Sequence, residues 1–383
     1  MTTGNGAGRD VYVAGLGIHP FGRFPEQSTG DMSRVAIKAA LADGGVPFKD
    51  VQAAYYSHVY PEGTTPGQAV LRDFGLTGIP IMNVENACAS GSSGIWQAAT
   101  MVARGVYDVV LAFGAEKVPR GPVSVTPEDS PERFLGTDHM MAEYALRMRR
   151  YMHEFDAPVE AIAQVAVKAH DNGTLNPNAQ FQKVFSLEDV LASRMIAEPL
   201  TLYQCCPTSE GAAAAVIVSA DALARYEGNS RAIRLRGASL RTTPHRRVDG
   251  EERDPEGTAL AARDVYEQSG LGPEDVDLVQ VHDAATIGEL EHLEFLGLFE
   301  PGEAWVATKE GRTSLRGDLP VNTDGGLQAM GHPFGASGIR MVHELATQIR
   351  GEAGDRQIER ARVGIAQCTG SGGVNTVLMV SEQ

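Results

Sequence analysis

The chain has 383 residues, 43% of them apolar, with 43 glycines and a formal charge of −16. Such a length and composition fit a folded, turn-rich α/β protein of two or three units and exclude a disordered chain. The acidic balance argues against a nucleic-acid partner, and it also opposes an anionic ligand such as a coenzyme A ester unless local basic residues offset the field.

Val11–Gly15 (VYVAG) is a short β-branched run closed by glycine and reads as a strand. A helix is expected over Asp31–Ala42, then a strand over Asp50–Val59. Met82–Val84 leads into the run NACASGSSG at 86–94, after which Ile95, Ala98, Ala99 and Val102 recur on one helical face. Cys88 therefore stands at the mouth of a helix, where the peptide dipoles favour thiolate over thiol. A strong strand, Val109–Phe113, follows. Helices are expected near His139–Tyr151 and Val159–Asp171, and Arg241–Glu252 reads as a solvated loop. No run approaches the roughly 18 apolar residues that cross a bilayer. The polar start MTTGNGAGRD shows no basic-then-apolar leader, so a cytoplasmic setting with no membrane partner is expected.

The same order recurs after residue 230. Ile233–Gly237 answers Val11–Gly15, and Pro-Glu-Asp-Val at 273–276 with the strand Leu278–Val281 answers Phe-Lys-Asp-Val at 48–51 with its strand. Gly335–Ile339 (GASGI) answers Gly91–Ile95 (GSSGI), Val363–Gln367 answers Val109–Phe113, and Gly373–Ser381 answers Gly211–Ser219. Five matches in one order indicate an internal duplication. It places Cys88 and His332, each three residues before its glycine, at equivalent positions, facing each other across a pseudo-twofold axis. His282 at the end of one strand and Cys368 after another belong to the C-terminal strand edges where α/β sheets bind ligands. Between its last two strands only the first half carries a long insertion, 117–206, which reads as a lid or substrate-binding subdomain. The expected units are 1–116 with 207–230, the insertion 117–206, and 231–383.

Two cysteines and two histidines converging on one site limit the chemistry. The four cysteines of the chain form neither a disulfide framework nor a CxxC pair, and the spacings match no familiar zinc pattern, so no metal is expected. A cysteine protease has no use for a second thiol. Acyl transfer through a thioester uses all four groups: a nucleophilic thiol, a histidine that keeps it a thiolate, a second thiol that moves protons, and a histidine that donates to an oxyanion.

The motifs NACASG at 86–91, HDAAT at 282–286, NTDGG at 322–326, GHPFGASG at 331–338 and QCTGSGG at 367–373 resemble those of thiolases, nearest to the sterol-carrier-protein-type or lipid-transfer branch. The resemblance covers nearly the whole chain. It implies the thiolase fold, an α/β duplicated five-layered αβαβα core with an inserted loop domain. It also implies that Cys88 is the acylated nucleophile, His332 its activator and Cys368 the general acid/base. His282 and His332 would hold the thioester oxyanion, the N–H groups of Cys88 and Gly370 would form a second oxyanion hole, and Asn322 and Glu289 would support them.

By the same resemblance the substrates are coenzyme A and acyl-CoA, with no tightly bound cofactor. The reaction is thiolysis of a 3-oxoacyl-CoA, of the β-oxidation type in lipid metabolism, or the reverse Claisen condensation. The biosynthetic branch has asparagine where His282 stands, and many relatives with the histidine have cysteine and phenylalanine where this chain has Ala284 and Ala285. Small residues there predict a roomy acyl pocket for a branched or ring-bearing group. Alternatives are a ketoacyl-synthase-type condensing enzyme, a thiolase-fold retro-aldolase, and a subunit dependent on a small zinc-ribbon/OB-fold companion. A homodimer or higher oligomer is implied by resemblance.

Overall fold

The computed structural model describes residues 8–75, 78–121, 123, 131–135, 138–244 and 256–383. The first half contributes β1 (Val11–Gly22), α1 (Thr29–Gly44), β2 (Ala53–Ser57), β3 (Ile81–Val84), α2 (Ser90–Ala103) and β4 (Val109–Lys117). Two long helices follow, α3 (Met140–Phe155) and α4 (Val159–Thr174), before β5 (Glu210–Ser219) closes the half. The second half comprises β6 (Ile233–Thr242), α5 (Gly257–Ser269), β7 (Leu278–Gln280), α6 (Thr286–Phe295), α7 (Phe334–Ile349), β8 (Val363–Gly370) and β9 (Val374–Ser381).

Nine strands run in the order β3-β2-β4-β5-β1-β6-β9-β8-β7. Around the β1–β6 seam the order and direction of one half mirror those of the other: parallel at the outer strands, antiparallel at the last two. The counterpart of β3 is reduced to a single parallel bridge, Val279 to Val321. At the seam Val11 faces Leu235, Tyr12 faces Arg234 and Val13 faces Ile233. Because VYV and IRL are the matched segments, the pseudo-twofold axis passes through the Tyr12–Arg234 pair. The duplication legible in the sequence is thus present in the register itself.

Alternation along the strands explains the layers. On β4, Val109, Leu111, Phe113 and Ala115 enter the core beneath α1, whereas Val110 and Ala112 enter the central core. β5 divides in the same way, as a sheet covered on both faces requires. α1 covers the outer face of the first half and α5 that of the second, while α2 and α7 lie between, touching strands of both halves. The order is α–β–αα–β–α, five layers.

Several elements differ in extent from expectation. The strand expected at Asp50–Val59 shrinks to Ala53–Ser57 because Phe48–Asp50 forms a 3₁₀ turn, matched by Pro273–Asp275 in the second half. Of Arg241–Glu252, Arg241 and Thr242 continue β6 rather than a loop, and residues 245–252 lie outside the described residues. Among the described residues, no helix is long and apolar enough to cross a membrane.

α2 and α7 meet through glycine. A Cβ on Gly91 would stand 2.8 Å from the Gly335 carbonyl oxygen, and one on Gly338 would stand 2.3 Å from the Ser92 nitrogen. Ordinary helix propensity would favour alanine over glycine by about 1 kcal/mol. Backbone atoms cannot yield as a side chain can, so overpacking at roughly 1–3 kcal/mol or more outweighs that gain. Gly338→Ala is accordingly expected to lower the thermal midpoint and to cut activity out of proportion to the folded fraction; a midpoint that rises would show that the helices are not in contact here.

Candidate active site

Cys88 stands two residues before α2 and His332 two residues before α7, so the matched sequence positions remain matched in space. The Cys88 turn depends on Ala87, held at φ 49°, a left-handed conformation that costs a non-glycine residue on the order of 1 kcal/mol. Polar side chains hold it there. The Glu85 carboxylate accepts the Ala87 N–H at 2.7 Å, and the Ser90 hydroxyl donates to the Ala87 carbonyl at 2.6 Å while accepting the Asn86 N–H at 2.9 Å.

At the opposite mouth the His332 N–H donates to Ser209 Oγ at 2.9 Å. Its ring Nδ1 lies 2.8 Å from Ser337 Oγ, and the Ser337 hydroxyl donates to the Pro333 carbonyl at 2.8 Å. With that proton committed, the serine oxygen accepts from Nδ1–H, which leaves a lone pair on Nε2. Nε2 is buried and has no partner among the described residues.

Cys88 Sγ and one nitrogen each of His282 and His332 lie within 4.8 Å of one another, and the two imidazole centroids are 5.2 Å apart. The Cys368 thiol donates to the Cys88 carbonyl at 3.2 Å. Cys368 lies inside β8 rather than after a strand, because pairing with β9 extends that strand to Gly370. Gly370 abuts the nucleophile turn so closely that a Cβ there would be 2.2 Å from the Asn86 oxygen. Cys88, His282 and His332 thus lie together with the Cys368 thiol on the Cys88 backbone, and all four residues are buried. Three such ligand atoms could also close on a soft divalent cation.

Asn322 and Glu289 sit behind the cluster. Asn322, at φ 53°, accepts the Val281 N–H at 3.0 Å and donates to Glu289 at 3.0 Å. Glu289 is ion-paired with the buried Lys168 of α4. Their polar groups are thus spent on holding the end of β7, from which His282 projects. The residues beside it, Ala284 and Ala285, are fully buried; the Cys206 N–H donates to the Ala284 carbonyl at 2.8 Å, and Cys205 bridges to Ala285.

Burial governs the charge state. It pushes the Cys88 thiol well up, with the neighbouring Cys368 adding to the effect, and it pushes Cys368 up to about 12. It holds His332 well below the usual histidine range, with His282 reinforcing it, and lowers His282 to about 3. The thiolate expected from the helix dipole is therefore not the resting state. A dipole supplies about 0.3–1 kcal/mol, less than one pKa unit, and Cys88 lies outside the first turn. Removing a thiolate from water costs more. Both shifts favour a neutral thiol beside a neutral imidazole.

Sequence reasoning missed three neighbours. Glu116, at the end of β4, accepts N–H groups from Val59, Tyr60 and Gly335, tying the loop after β2 to the start of α7; burial raises its carboxyl to about 7. Ser337 lies within the GHPFGASG motif, but its bond to His332 needed the turn geometry. Tyr144 of α3 reaches His282 across 138 positions, and its spacing with Ala145, Met148 and Tyr151 reads as an ordinary core stripe.

Comparison with known proteins places this architecture. The family described as "Thiolase, N-terminal domain" matches residues 11–221, and "Thiolase C-terminal domain-like" matches residues 245–383. The chain is 36% identical over 383 residues to an acetyl-CoA acetyltransferase of Methanothermobacter thermautotrophicus, covering 97% of this chain and 100% of that one. It is 36% identical over 371 residues to the benzoylsuccinyl-CoA thiolase subunit BbsB of Thauera aromatica, covering 95% of each, and 33% identical over 388 residues to bovine sterol carrier protein 2, covering 96% and 72%. Among solved structures it resembles the Ltp2-ChsH2(DUF35) aldolase, with TM-score 0.85, 27% identity and coverage of 97% and 98%. Human mitochondrial 3-ketoacyl-CoA thiolase, at TM-score 0.73 and 19% identity over 98% and 99%, shares the fold. Fold and matches together define a thiolase-fold enzyme of the acyltransferase class. The chain belongs to the thiolase family.

A resting thiol has a chemical signature. Inactivation by iodoacetamide is expected to accelerate steadily from pH 6 to pH 9, because the reactive thiolate fraction keeps growing through that window. A rate already on its plateau at pH 6–7 would establish a preformed thiolate.

Proposed function

We propose that this enzyme cleaves 3-oxoacyl-CoA esters by thiolysis, or forms them by the reverse condensation, through an acyl group carried on Cys88. The observation that carries the reading is the convergence of Cys88, His282 and His332 within 4.8 Å, with the Cys368 thiol 3.2 Å from the Cys88 carbonyl. In the cleavage direction His332 Nε2 takes the Cys88 proton as sulfur attacks the 3-oxo carbon. The N–H groups of Cys88 and Gly370 hold the oxyanion of the tetrahedral intermediate. As the C2–C3 bond breaks, the electron pair passes to C2 and the thioester oxygen of the leaving enolate, where His282 and the newly protonated His332 donate. Cys368 then protonates C2. Its thiolate next deprotonates an incoming coenzyme A, which attacks the Cys88 thioester, and His332 returns the proton to Cys88.

Coenzyme A and its esters are substrates in this reading, with no tightly bound cofactor or metal. Residues 117–206 act as the substrate-covering subdomain between the halves 1–116 with 207–230 and 231–383. The likeness to a benzoylsuccinyl-CoA thiolase subunit supports a bulky, branched or aromatic acyl group, for which the small side chains of Ala284 and Ala285 are the sequence argument. The charge of −16 and the pairing named in the Ltp2-ChsH2(DUF35) aldolase support a small zinc-ribbon/OB-fold companion that helps hold the anionic coenzyme. We assign the enzyme to the cytoplasm as a homodimer or larger assembly. Likeness to that aldolase also favours a second reading, retro-aldol cleavage, for which the Cys88 thiol would be dispensable.

Incubation with a panel of acyl-CoA esters, with and without the companion protein, followed by peptide mass spectrometry, tests these readings together. An acyl group retained on the Cys88 peptide, with turnover lost by more than about 100-fold in Cys368→Ala, is expected of a thiolase. A ketoacyl-synthase-type enzyme would tolerate Cys368→Ala, and a retro-aldolase would keep its turnover in Cys88→Ala. Acetoacetyl-CoA turning over faster than every bulky 3-oxoacyl-CoA would remove the roomy-pocket idea, and a fully active lone chain would remove the companion.

A further inference from the structure

His282 is a neutral imidazole buried on every side, so which of its nitrogens carries the proton decides whether it can donate to an oxyanion. Its Nε2 is buried and has no partner among the described residues. Its Nδ1 lies 3.4 Å from the hydroxyl of Tyr144, the long end of hydrogen-bond range, and both groups are buried. No other polar contact of that hydroxyl occurs among the described residues. If Nδ1 carried the proton, the phenolic O–H would have no acceptor and Nε2 would be an unpaired acceptor, two buried polar groups left unsatisfied. If the phenol donates to Nδ1, only the Nε2–H remains, aimed where a substrate oxygen would sit. An unsatisfied buried polar group is costly, so the arrangement that leaves one rather than two prevails.

The phenol is itself held in place. Arg147, one turn further along α3, stacks over the Tyr144 ring at 4.8 Å and forms an ion pair with Glu291 of α6, the helix that follows His282. Gly288, in the first turn of α6, leaves room for the ring: a Cβ there would touch Tyr144 Cε1 at 3.5 Å and crowd the His282 carbonyl at 2.9 Å. We propose that Tyr144, a residue of the segment inserted into the first half, is a positioning residue that fixes the Nε2–H tautomer of His282 in the second half. That turns His282 into a donor for the enolate oxygen and gives the inserted segment a part in carbon–carbon bond chemistry. The inference rests on the Cys88 acyl-enzyme reading above.

The test separates the two halves of the reaction. Exchange of labelled coenzyme A into an acyl-CoA passes through the Cys88 thioester and has no enolate, whereas cleavage of a 3-oxoacyl-CoA needs one. Tyr144→Phe is expected to retain exchange within about twofold and to lose roughly 10- to 100-fold in kcat for cleavage, with KM little changed. The double variant Tyr144→Phe/His282→Ala should be no slower than His282→Ala alone, because the tyrosine acts only through the histidine. Nitrogen-15 shifts of the His282 ring should show protonated Nε2 and bare Nδ1 in the unaltered protein, and a mixture in Tyr144→Phe. Additive losses, equal losses in exchange and cleavage, or an unchanged tautomer would overturn the inference. Absence of exchange in the unaltered enzyme would overturn the acyl-enzyme reading first and this inference with it.

Discussion

The structure turns on the contact between the two central helices. Each half delivers one reactive side chain from the residue two places before its helix, and neither half can complete a site alone. The chemistry requires the two helix mouths to meet, and only backbone against backbone brings them near enough. Gly91, Gly335 and Gly338 allow it, and Gly114 extends the same seam, since a Cβ there would lie 1.9 Å from the Gly335 oxygen. Glu116 adds the polar lock, its carboxylate accepting N–H groups from the β2 loop and from the first turn of α7. Elsewhere in the core a methyl group changes a packing energy; here it changes the separation of a thiol and an imidazole.

Burial at that junction sets the electrostatics. Four titratable groups are buried together, and burial pushes both thiols up and both imidazoles down, which favours the uncharged form of each. Such a site is poised by hydrogen-bond direction rather than by charge. The two histidines illustrate this. His332 donates from Nδ1 to Ser337 and presents a lone pair, whereas in the arrangement proposed above His282 accepts from Tyr144 at Nδ1 and presents an N–H. Identical side chains a few ångströms apart thereby take opposite roles, and the polar groups that decide between them lie outside the cluster.

Much of this was legible in the sequence, for a physical reason. The duplication shows because each half must repeat the same periodicity and the same glycines to make the same contacts. Cys88 and His332 are found at once when GSSGI is set against GASGI. What could not be read is what depends on distant residues. The place of Cys88 near a helix is a local feature worth about 1 kcal/mol at most, whereas the burial that pushes its thiol up is a property of the whole core. Tyr144 hides in an apolar stripe, and the Lys168–Glu289 pair links positions 121 residues apart. Strand ends drifted where pairing partners extended or shortened them, as β9 does for Cys368.

The insertion breaks the symmetry that the duplication creates. It leaves the sheet at β4, in the first half, yet its helices pack on α6 of the second. Through Lys168 it clamps Glu289 and hence Asn322, which holds the end of β7, and through Tyr144 and Arg147 it reaches His282 and Glu291. Its returning segment then lays Cys205 and Cys206 against Ala285 and Ala284. Tyr144, Cys205 and Cys206 therefore meet HDAAT itself, at His282, Ala285 and Ala284. A symmetric pair of halves can supply two facing helix mouths, which here carry Cys88 and His332. The segment between β4 and β5 adds what the symmetry lacks, a contact on His282 through Tyr144 that, in the arrangement proposed above, sets the direction of its hydrogen bond.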